Sequence, residues 1–438
     1  MENPLNIWIA KKIRGENEDL SPLTRDEISL YQVAKIRETL FLAKEKSSFY
    51  RELYKNIDPH QIKTLADVAM LPFIKASDIV ENGRHMVTVR QDDIHRIVSL
   101  ETSGTTDKRK RIYFTKEDQE LTIDYFHHGM LCLTTPQDNF LILLPTKTPG
   151  SVGDLLRIGM ERLGAAVIPY GLIDDYQKVA LLMAEKKVTS LVGAPVQMLI
   201  LAAVGINMGL KLKLNSILLS TDYAPVSLTK RLGDIWGCRV FEHYGMTETG
   251  LGGGVFCHEL CGYHMREADL YFEVVDSAGN PVDDGEYGEL VFTTLTRRGM
   301  PLIRYKTGDW GRWLKEGCSC KSPLKLMDRV KNRIDMAVVL PDGGKLYIMD
   351  LDEAIFSVNS VIDYEANLSE DSLDVRIKLI GAAEKKAIRE TEEKIQEIPV
   401  IKNVQNNFKF RINIDSTNDI GEPLTALKKR KINSIKGG

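Results

Sequence analysis

The sequence predicts an α/β protein with a large multi-layer N-terminal domain, which contains parallel sheets and a β-rich subdomain, and a small α+β C-terminal lid domain. The chain has 438 residues, more than a single hydrophobic core usually supports, so we expect at least two domains. From Phe140 onward, short apolar segments alternate with amphipathic ones, which is typical of parallel strands joined by helices. After Leu270, alternating strand-like segments with tight turns indicate antiparallel pairing.

Composition and charge exclude several classes of protein. The 58 Lys and Arg residues nearly balance the 61 Asp and Glu residues and are scattered along the chain, which argues against nucleic-acid binding. With 43% hydrophobic and 27% charged residues, the composition is that of a folded chain. The apolar stretches are shorter than the roughly eighteen residues of a membrane span, and the first residues do not resemble a secretory signal. We therefore expect a cytoplasmic protein that binds no membrane.

The elements are predicted in chain order. The helical spacing of Val33, Ile36 and Leu40 predicts a helix over residues 21–48, within a mostly helical first hundred residues. The central region then alternates predicted strands at 140–145, 165–171, 189–195, 214–219 and 238–245 with predicted helices at 155–164, 174–188 and 227–236. A break near Asp335 precedes a smaller set of elements, namely helices at 350–356 and 382–397 and strands at 373–379 and 408–414. We predict two domains, residues 1–334 and residues 335–438, of which the second is a mobile lid.

The segment 101–110, with the sequence ETSGTTDKRK, follows a predicted strand. Its small hydroxyls, glycine and trailing cations suit a loop that binds polyphosphate oxygens, although a polar surface turn has the same composition. It does not fit the Walker pattern, which needs two glycines flanking four residues and a Gly-Lys-Ser/Thr ending.

Three later segments place polar residues beside strands or breaks. The segment 242–250, which contains Glu242 and Glu248, directly follows an apolar strand segment. A carboxylate at the edge of a sheet can hold Mg²⁺ there or be an ordinary solvated turn residue. Asp309, in the segment 304–309, can accept hydrogen bonds from the two hydroxyls of a ribose or be an ordinary turn residue. The segment 332–335 lies at the predicted domain break.

These segments, in this order, resemble the adenylate-forming superfamily of acyl-CoA synthetases and adenylation domains, and within it the phenylacetate-CoA ligase family. The motifs are TSGTT with a following lysine, YGMTE, GELVFTTLTRRGMPLIRYKTGD, NRID and the terminal EPLTALK. The resemblance implies an acid–thiol ligase that uses ATP, Mg²⁺ and CoA. It would activate a carboxylic acid, aryl or arylacetic, to an acyl-adenylate and transfer the acyl group to CoA. A homodimer is compatible with this interpretation.

The resemblance also assigns residues to the site. Lys428, Glu248 and Lys110 would be catalytic, and Glu248 would also bind Mg²⁺. The nucleotide would contact the phosphate loop, the adenine segment, the YGMTE motif and the ribose positions, that is Ser103, Gly104, Thr105, Thr106, Ser220, Thr221, Asp222, Tyr244, Gly245, Thr247, Asp309 and Arg333. The phosphate loop departs from the family pattern at Asp107 and Arg109, which stand where the family has glycine and proline. Asn332 also replaces a family glycine, and Leu427 replaces the glycine before the lid lysine.

The cysteines form a second constellation. Four of the six lie in two tight pairs, which in a reducing compartment point to a metal rather than to disulfides. The resemblance extends to family members with a Cys…His plus Cys-x-Cys zinc site, and the matching positions are Cys257, His264, Cys318 and Cys320, with Cys261 as a spare or alternative ligand. Four such ligands would form a closed, structural zinc site.

Two alternatives to the CoA ligase remain at this stage. The same family includes enzymes with another acceptor, which adenylylate a deazaflavin cofactor or pass the acyl group to a carrier protein or an amine. The altered phosphate loop also suggests a catalytically silent, nucleotide-binding homologue. Retention of Glu248, Asp309, Arg333 and Lys428 argues against the silent protein.

Overall fold

The computed structural model describes residues 3–15, 21–100, 109–333, 337–381, 384–417 and 431–434. The chain forms two compact units. The first comprises Met1–Pro136, Lys147–Gly164 and His243–Val330, and the second comprises Gln137–Thr146, Ala165–Glu242 and Lys331–Gly438. In the described part of the chain, no helix combines the length and the apolar character that a membrane span requires.

The helices alternate with strands through most of the chain. The helices are α1 (Pro4–Arg14), α2 (Arg25–Lys46), α3 (Ser48–Leu53), α4 (Ala76–Asn82), α5 (Lys116–Met130), α6 (Val152–Leu163), α7 (Tyr176–Glu185), α8 (Pro195–Asn207), α9 (Val226–Trp236), α10 (Ile348–Ile355), α11 (Glu384–Gln396) and α12 (Pro399–Asn407).

The strands are β1 (Arg96–Leu100), β2 (Lys110–Phe114), β3 (Asn139–Ile142), β4 (Ala166–Pro169), β5 (Ser190–Gly193), β6 (Ser216–Leu219), β7 (Arg239–Tyr244), β8 (Gly254–Phe256), β9 (Tyr263–Met265), β10 (Leu270–Val275), β11 (Gly288–Thr294), β12 (Tyr305–Gly311), β13 (Leu326–Met327), β14 (Lys331–Arg333), β15 (Val338–Val339), β16 (Lys345–Leu346), β17 (Val361–Leu368), β18 (Ser372–Leu379), β19 (Arg411–Thr417) and β20 (Asn433–Ser434).

The first unit is built on antiparallel pairs. β1 and β2 pair antiparallel, and so do β10 with β11 and β11 with β12. The last two residues of β7 pair antiparallel with β8, which continues through β9 to β13. β10, β11 and β12 are the turn-rich strands that the sequence predicts after Leu270. β8 and β9 form an antiparallel set between β7 and that region.

The second unit contains the parallel sheet. Its strands follow the order β4, β3, β5, β6 and β7, and all four pairings are parallel. β5 and β6 are buried throughout, as expected where both faces of a parallel sheet are covered. A second sheet has the order β19, β18, β17 and β20, and α11 and α12 form the crossover between the parallel strands β18 and β19. One apolar core in this unit includes Leu141, Leu191, Ile217, Leu373 and Ile377.

The predicted α/β class, with its parallel and antiparallel sheets, is confirmed. The predicted helix at 21–48 is divided, because α2 ends at Lys46 and Ser47 caps the following helix. α8 was not predicted, since it is apolar on all sides and lacks the amphipathic period on which sequence reasoning depends. Mobility of residues 335–438 as a lid stays a prediction.

Candidate functional site

The turn after β7 holds the YGMTE motif. Leu251 N–H donates to Met246 O at 2.9 Å and closes the turn. Gly245 has no room for a side chain, because a Cβ atom there would lie 2.6 Å from Leu251 O. Thr247–Thr249 form a short 3-10 helix within this turn. The motif therefore positions its acidic residue through the backbone of a tightly closed loop.

This turn carries Glu248, which joins Lys110 and Tyr305 in a buried group that we term the carboxylate cluster. Lys110 Nζ donates a hydrogen bond to Glu248 Oε1 and forms an ion pair with it. Tyr305 Oη donates to the same carboxylate oxygen at 3.2 Å and lies 3.5 Å from Lys110 Nζ. Glu248 is 2% exposed, so a positive partner is needed to offset the cost of burying its charge.

β12 supplies the predicted ribose position. Tyr305, Thr307 and Asp309 of β12 are all buried. The strand is irregular between them, because its register against β11 shifts there and Gly308 has a φ of +75°. The Asp309 carboxylate accepts a hydrogen bond from Tyr244 Oη at 3.0 Å, and Asp309 N–H donates to Thr307 Oγ1 at 3.0 Å. The structure thus brings together two pairs of predicted site residues, Lys110 with Glu248 and Tyr244 with Asp309.

A second cation lies beneath the same turn. Gly250 adopts a left-handed conformation, with φ +75°, and a Cβ atom there would lie 3.1 Å from Arg297 Nη2. Burial lowers the pKa of Arg297 to about 10, while the charge of Glu248 acts in the opposite direction. Arg297 therefore stays protonated at neutral pH and adds positive charge beside the carboxylate cluster.

The predicted adenine segment lies in the second unit, at the end of β6. Ser220 N–H donates to Gly193 O at 3.1 Å, and Thr221 has φ +79°, an uncommon conformation for a β-branched residue. The Asp222 carboxylate accepts from Tyr223 N–H at 2.9 Å. This strained, hydrogen-bonded turn is the kind of local structure that often accompanies a binding segment.

Several predicted residues cannot be placed. Ser103, Gly104, Thr105 and Thr106 lie outside the described residues, and so does Lys428. β1 and β2 border the phosphate-loop segment in sequence, with Leu100 paired to Lys110. Of Arg333, the structure describes its position at the end of β14.

The four predicted zinc ligands converge in the first unit, in a group that we term the thiol cluster. The ligand atoms of Cys257, His264, Cys318 and Cys320 all lie within 4.8 Å of one another. The Sγ atoms of Cys257 and Cys318 are 3.5 Å apart, and Cys320 Sγ is 3.3 Å from His264 Nε2. Three sulfur atoms and one imidazole nitrogen at this spacing match the donor set of a tetrahedral zinc site.

The backbone around the thiol cluster is arranged for thiolates. Glu259 N–H donates to Cys257 Sγ and Cys320 N–H donates to Cys318 Sγ, each at 3.4 Å. Burial lowers the pKa of His264 to about 4, which keeps its imidazole in the neutral form that a metal requires. Burial raises the pKa of Cys257 well above its usual value, so metal binding there has to displace a proton.

Sequence reasoning missed two residues of the carboxylate cluster and its surroundings. Tyr305 lies four residues before Asp309 in the RYKTGD segment, but its contact with Glu248 spans 57 positions of the chain, which no local pattern reports. Arg297 lies in the TTLTRRGMP segment, where nothing in the sequence distinguishes a buried cation from an exposed one.

Known ligases are similar to this chain over most of its length. Phenylacetate-coenzyme A ligase from Thermus thermophilus is 25% identical over 376 residues, which cover 82% of this chain and 83% of that enzyme. The enzyme of the same name from Escherichia coli is 26% identical over 388 residues and covers 83% of this chain and 86% of its own length.

The fold also has a close match among solved structures. 2-Hydroxyisobutyryl-CoA ligase in its postadenylation state superposes with a TM-score of 0.80 at 18% identity, covering 96% of this chain and 94% of its own. The family model described as AMP-binding enzyme matches residues 25–295. The resemblance expected from the order of the motifs is confirmed, and the chain belongs to the AMP-binding enzyme family.

Proposed function

We propose that the protein is an ATP- and Mg²⁺-dependent acid–thiol ligase that acts on an aryl or arylacetic acid. A carboxylate oxygen of the acid attacks the α-phosphorus of ATP, the bond to pyrophosphate breaks, and an acyl-adenylate forms. The thiol sulfur of CoA then attacks the acyl carbon, loses its proton and displaces AMP. The substrate class and the acceptor follow the phenylacetate-coenzyme A ligases to which the chain is similar.

The carboxylate cluster carries this proposal. Adenylation places negative charge on phosphoryl oxygens and on pyrophosphate, and preorganised cations stabilise such charge best in a site that excludes water. Glu248 and Lys110 are both buried, and Tyr305 orients the carboxylate through a hydrogen bond. An acid and a base held in this way on the turn of the YGMTE motif are suited to a metal–phosphate complex.

Glu248 is the proposed ligand for Mg²⁺. Carboxylate oxygens are ligands that Mg²⁺ prefers, usually one or two from the protein with the rest from water and phosphate. When bound, the ion would neutralise charge on the phosphates. Lys110 balances the Glu248 carboxylate in the structure, so we propose that its ammonium turns to a phosphate oxygen when the ion takes its place.

The remaining residues are proposed from the resemblance. Asp309 and Arg333 would hold the ribose, Tyr244 and the segment Ser220 to Asp222 the adenine, and Ser103 to Thr106 the phosphates. Lys428 would contact the substrate carboxylate and the α-phosphate during adenylation. The hydrogen bond from Tyr244 to Asp309 supports this assignment, since it fixes the carboxylate in one orientation.

Pyrophosphate release tests the proposal. The assay uses the full chain with ATP and Mg²⁺, and compares aryl, arylacetic and short aliphatic acids, each with and without CoA. Release with an aryl or arylacetic acid that CoA accelerates is the expected result. Release that CoA does not affect would identify another acceptor, and binding of ATP without release for any acid would contradict the proposal.

We also propose that the thiol cluster holds a structural zinc ion. All four positions would be taken by protein ligands, which leaves none open for catalysis. The amide hydrogen bonds to Cys257 and Cys318 support the assignment, since they stabilise charged sulfur. Reduced thiols persist in the cytoplasm, which is the proposed compartment. Metal analysis of protein purified without chelator should find one zinc ion for each chain, and its absence would refute the site.

A further inference from the structure

A fifth cysteine lies beside the thiol cluster. Cys261 is exposed, whereas Cys257 and Cys318 are buried. Cys261 Sγ lies 3.2 Å from Cys318 Sγ, closer than Cys257 Sγ, which is 3.5 Å away. Cys261 is not needed to complete the set of four converging ligands. Cys261 is therefore accessible to solvent and in contact with Cys318, while the set of four candidate ligands is complete without it.

The turn between the two cysteines explains this position. Leu260 N–H donates to Cys257 O at 3.0 Å, and Leu260 has a left-handed φ of +56°. This tight turn directly precedes Cys261, whose sulfur contacts Cys318. A hydrogen bond of 2.7 Å from Ser319 Oγ to Glu259 joins the two cysteine-bearing loops and keeps the sulfur atoms in register.

We propose that Cys261 is a site of oxidative modification, at which a peroxide forms a disulfide with Cys318 and removes a ligand from the zinc ion. This inference rests on the proposed zinc site. An S–S bond is about 2.05 Å long, so the two sulfur atoms have to approach by only about 1 Å. Cys257, which also contacts Cys318, is buried and therefore shielded from the oxidant.

The chemistry proceeds in two steps. The Cys261 thiol is first oxidised by a peroxide such as hydrogen peroxide, which transfers one oxygen to give the sulfenic acid and releases one water. The Cys318 thiolate then attacks the Cys261 sulfur and forms the S–S bond, while the S–O bond breaks and the hydroxyl group takes a proton from solvent to leave as a second water. The two sulfur atoms together lose two electrons, which the peroxide gains. The cluster would then offer three ligands instead of four, so Cys257, His264 and Cys320 alone would hold a zinc ion less tightly.

The full-length, zinc-loaded chain tests this inference. Samples of the wild type, Cys261→Ser and Cys238→Ser are treated with hydrogen peroxide, while a chromogenic chelator measures released zinc. Peptide mapping by mass spectrometry without reductant identifies the disulfide. Cys238 is a matched control, because it is a free and partly exposed thiol outside the cluster.

We expect zinc release and a Cys261–Cys318 cross-link in the wild type and in Cys238→Ser, and retention of zinc in Cys261→Ser. Equal release from Cys261→Ser and the wild type would overturn the inference, as would a cross-link between Cys257 and Cys318. Protein purified without zinc would refute the zinc site itself. Peptide mapping would then still show whether Cys261 and Cys318 form a disulfide, so failure of the zinc site and failure of the disulfide can be told apart.

Discussion

The carboxylate cluster and the thiol cluster are both buried in the first unit, yet they satisfy their polar groups differently. In the carboxylate cluster, Lys110 and Tyr305 donate to Glu248, so opposite charges offset each other within the protein. In the thiol cluster, the converging atoms are all metal donors, and His264 Nδ1 has no hydrogen-bond partner among the described residues.

The two clusters therefore differ in what compensates for the burial of their polar groups. Glu248 is stable before any ligand arrives, because the ion pair already compensates for its desolvation. Cys257, Cys318 and Cys320 would be stabilised in the proposed zinc site only when a cation replaces their protons. We therefore expect changes in the carboxylate cluster to lower catalysis, and changes in the thiol cluster to lower stability without lowering catalysis.

The largest expected effect is that of Glu248→Gln. The amide keeps the shape of the side chain but loses the charge that would hold Mg²⁺, so pyrophosphate release should fall by about a hundredfold to a thousandfold. The melting temperature should fall as well, because the amide leaves the buried Lys110 ammonium without its countercharge. Steady-state rates over a range of Mg²⁺ concentrations check this. Glu161→Gln, which changes an exposed ion pair with Arg157, serves as the control.

Cys318→Ser, in the thiol cluster, should lower stability and leave catalysis unchanged. Loss of a metal site is among the few causes of destabilisation beyond the usual range, so the free energy of unfolding should fall by more than about 3 kcal/mol. The remaining folded protein should keep its rate of pyrophosphate release for each active site. Denaturant unfolding and zinc content measure this effect. Unchanged stability with full zinc occupancy would show that Cys318 is not a ligand.

His243 adds a pH dependence close to the YGMTE turn. Burial lowers the pKa of His243 to about 4, below the ordinary value of about 6.5 for an unfolded chain. The unfolded state therefore binds more protons between these values, and stability falls as the pH is lowered from about 6.5 to about 4, by up to about 3 kcal/mol. His243→Gln should reduce this slope without abolishing it, because burial lowers the pKa of His264 to about 4 as well. His60→Gln, at an exposed position, should leave the slope unchanged. Thermal melts at a series of pH values provide the measurement.

The smallest expected effect is that of Tyr305→Phe. It removes one hydrogen bond to Glu248 but leaves Lys110 in place, so catalysis should fall by about tenfold or less, as expected for about 1 kcal/mol. The Mg²⁺ concentration for half-maximal rate should rise, because the carboxylate is less well oriented. Tyr31→Phe, which removes a hydrogen bond to the backbone oxygen of Ala268, is the control. An unchanged Mg²⁺ response would show that Tyr305 has no positioning role.

The sequence predicted more of the strands than of the contacts between them. The buried strands of the parallel sheet are continuous apolar runs, such as those of β5 and β6, which local composition reveals. α8 escaped prediction because a helix buried on all sides has no amphipathic period. Local patterns report burial on one face, and they lose their signal where every face is covered.

The same distinction applies to the sites. The resemblance of the YGMTE and Cys-x-Cys motifs to the family pattern was enough to name Glu248 and the four residues of the thiol cluster as candidate metal ligands. Spacing could not show that Lys110 pairs with Glu248, 138 positions away along the chain, or that Tyr305 completes the group. Spacing also could not show that the sulfur atoms of Cys261 and Cys318 are in contact. Those contacts depend on how distant strands and turns pack, and packing is a property of the whole folded unit.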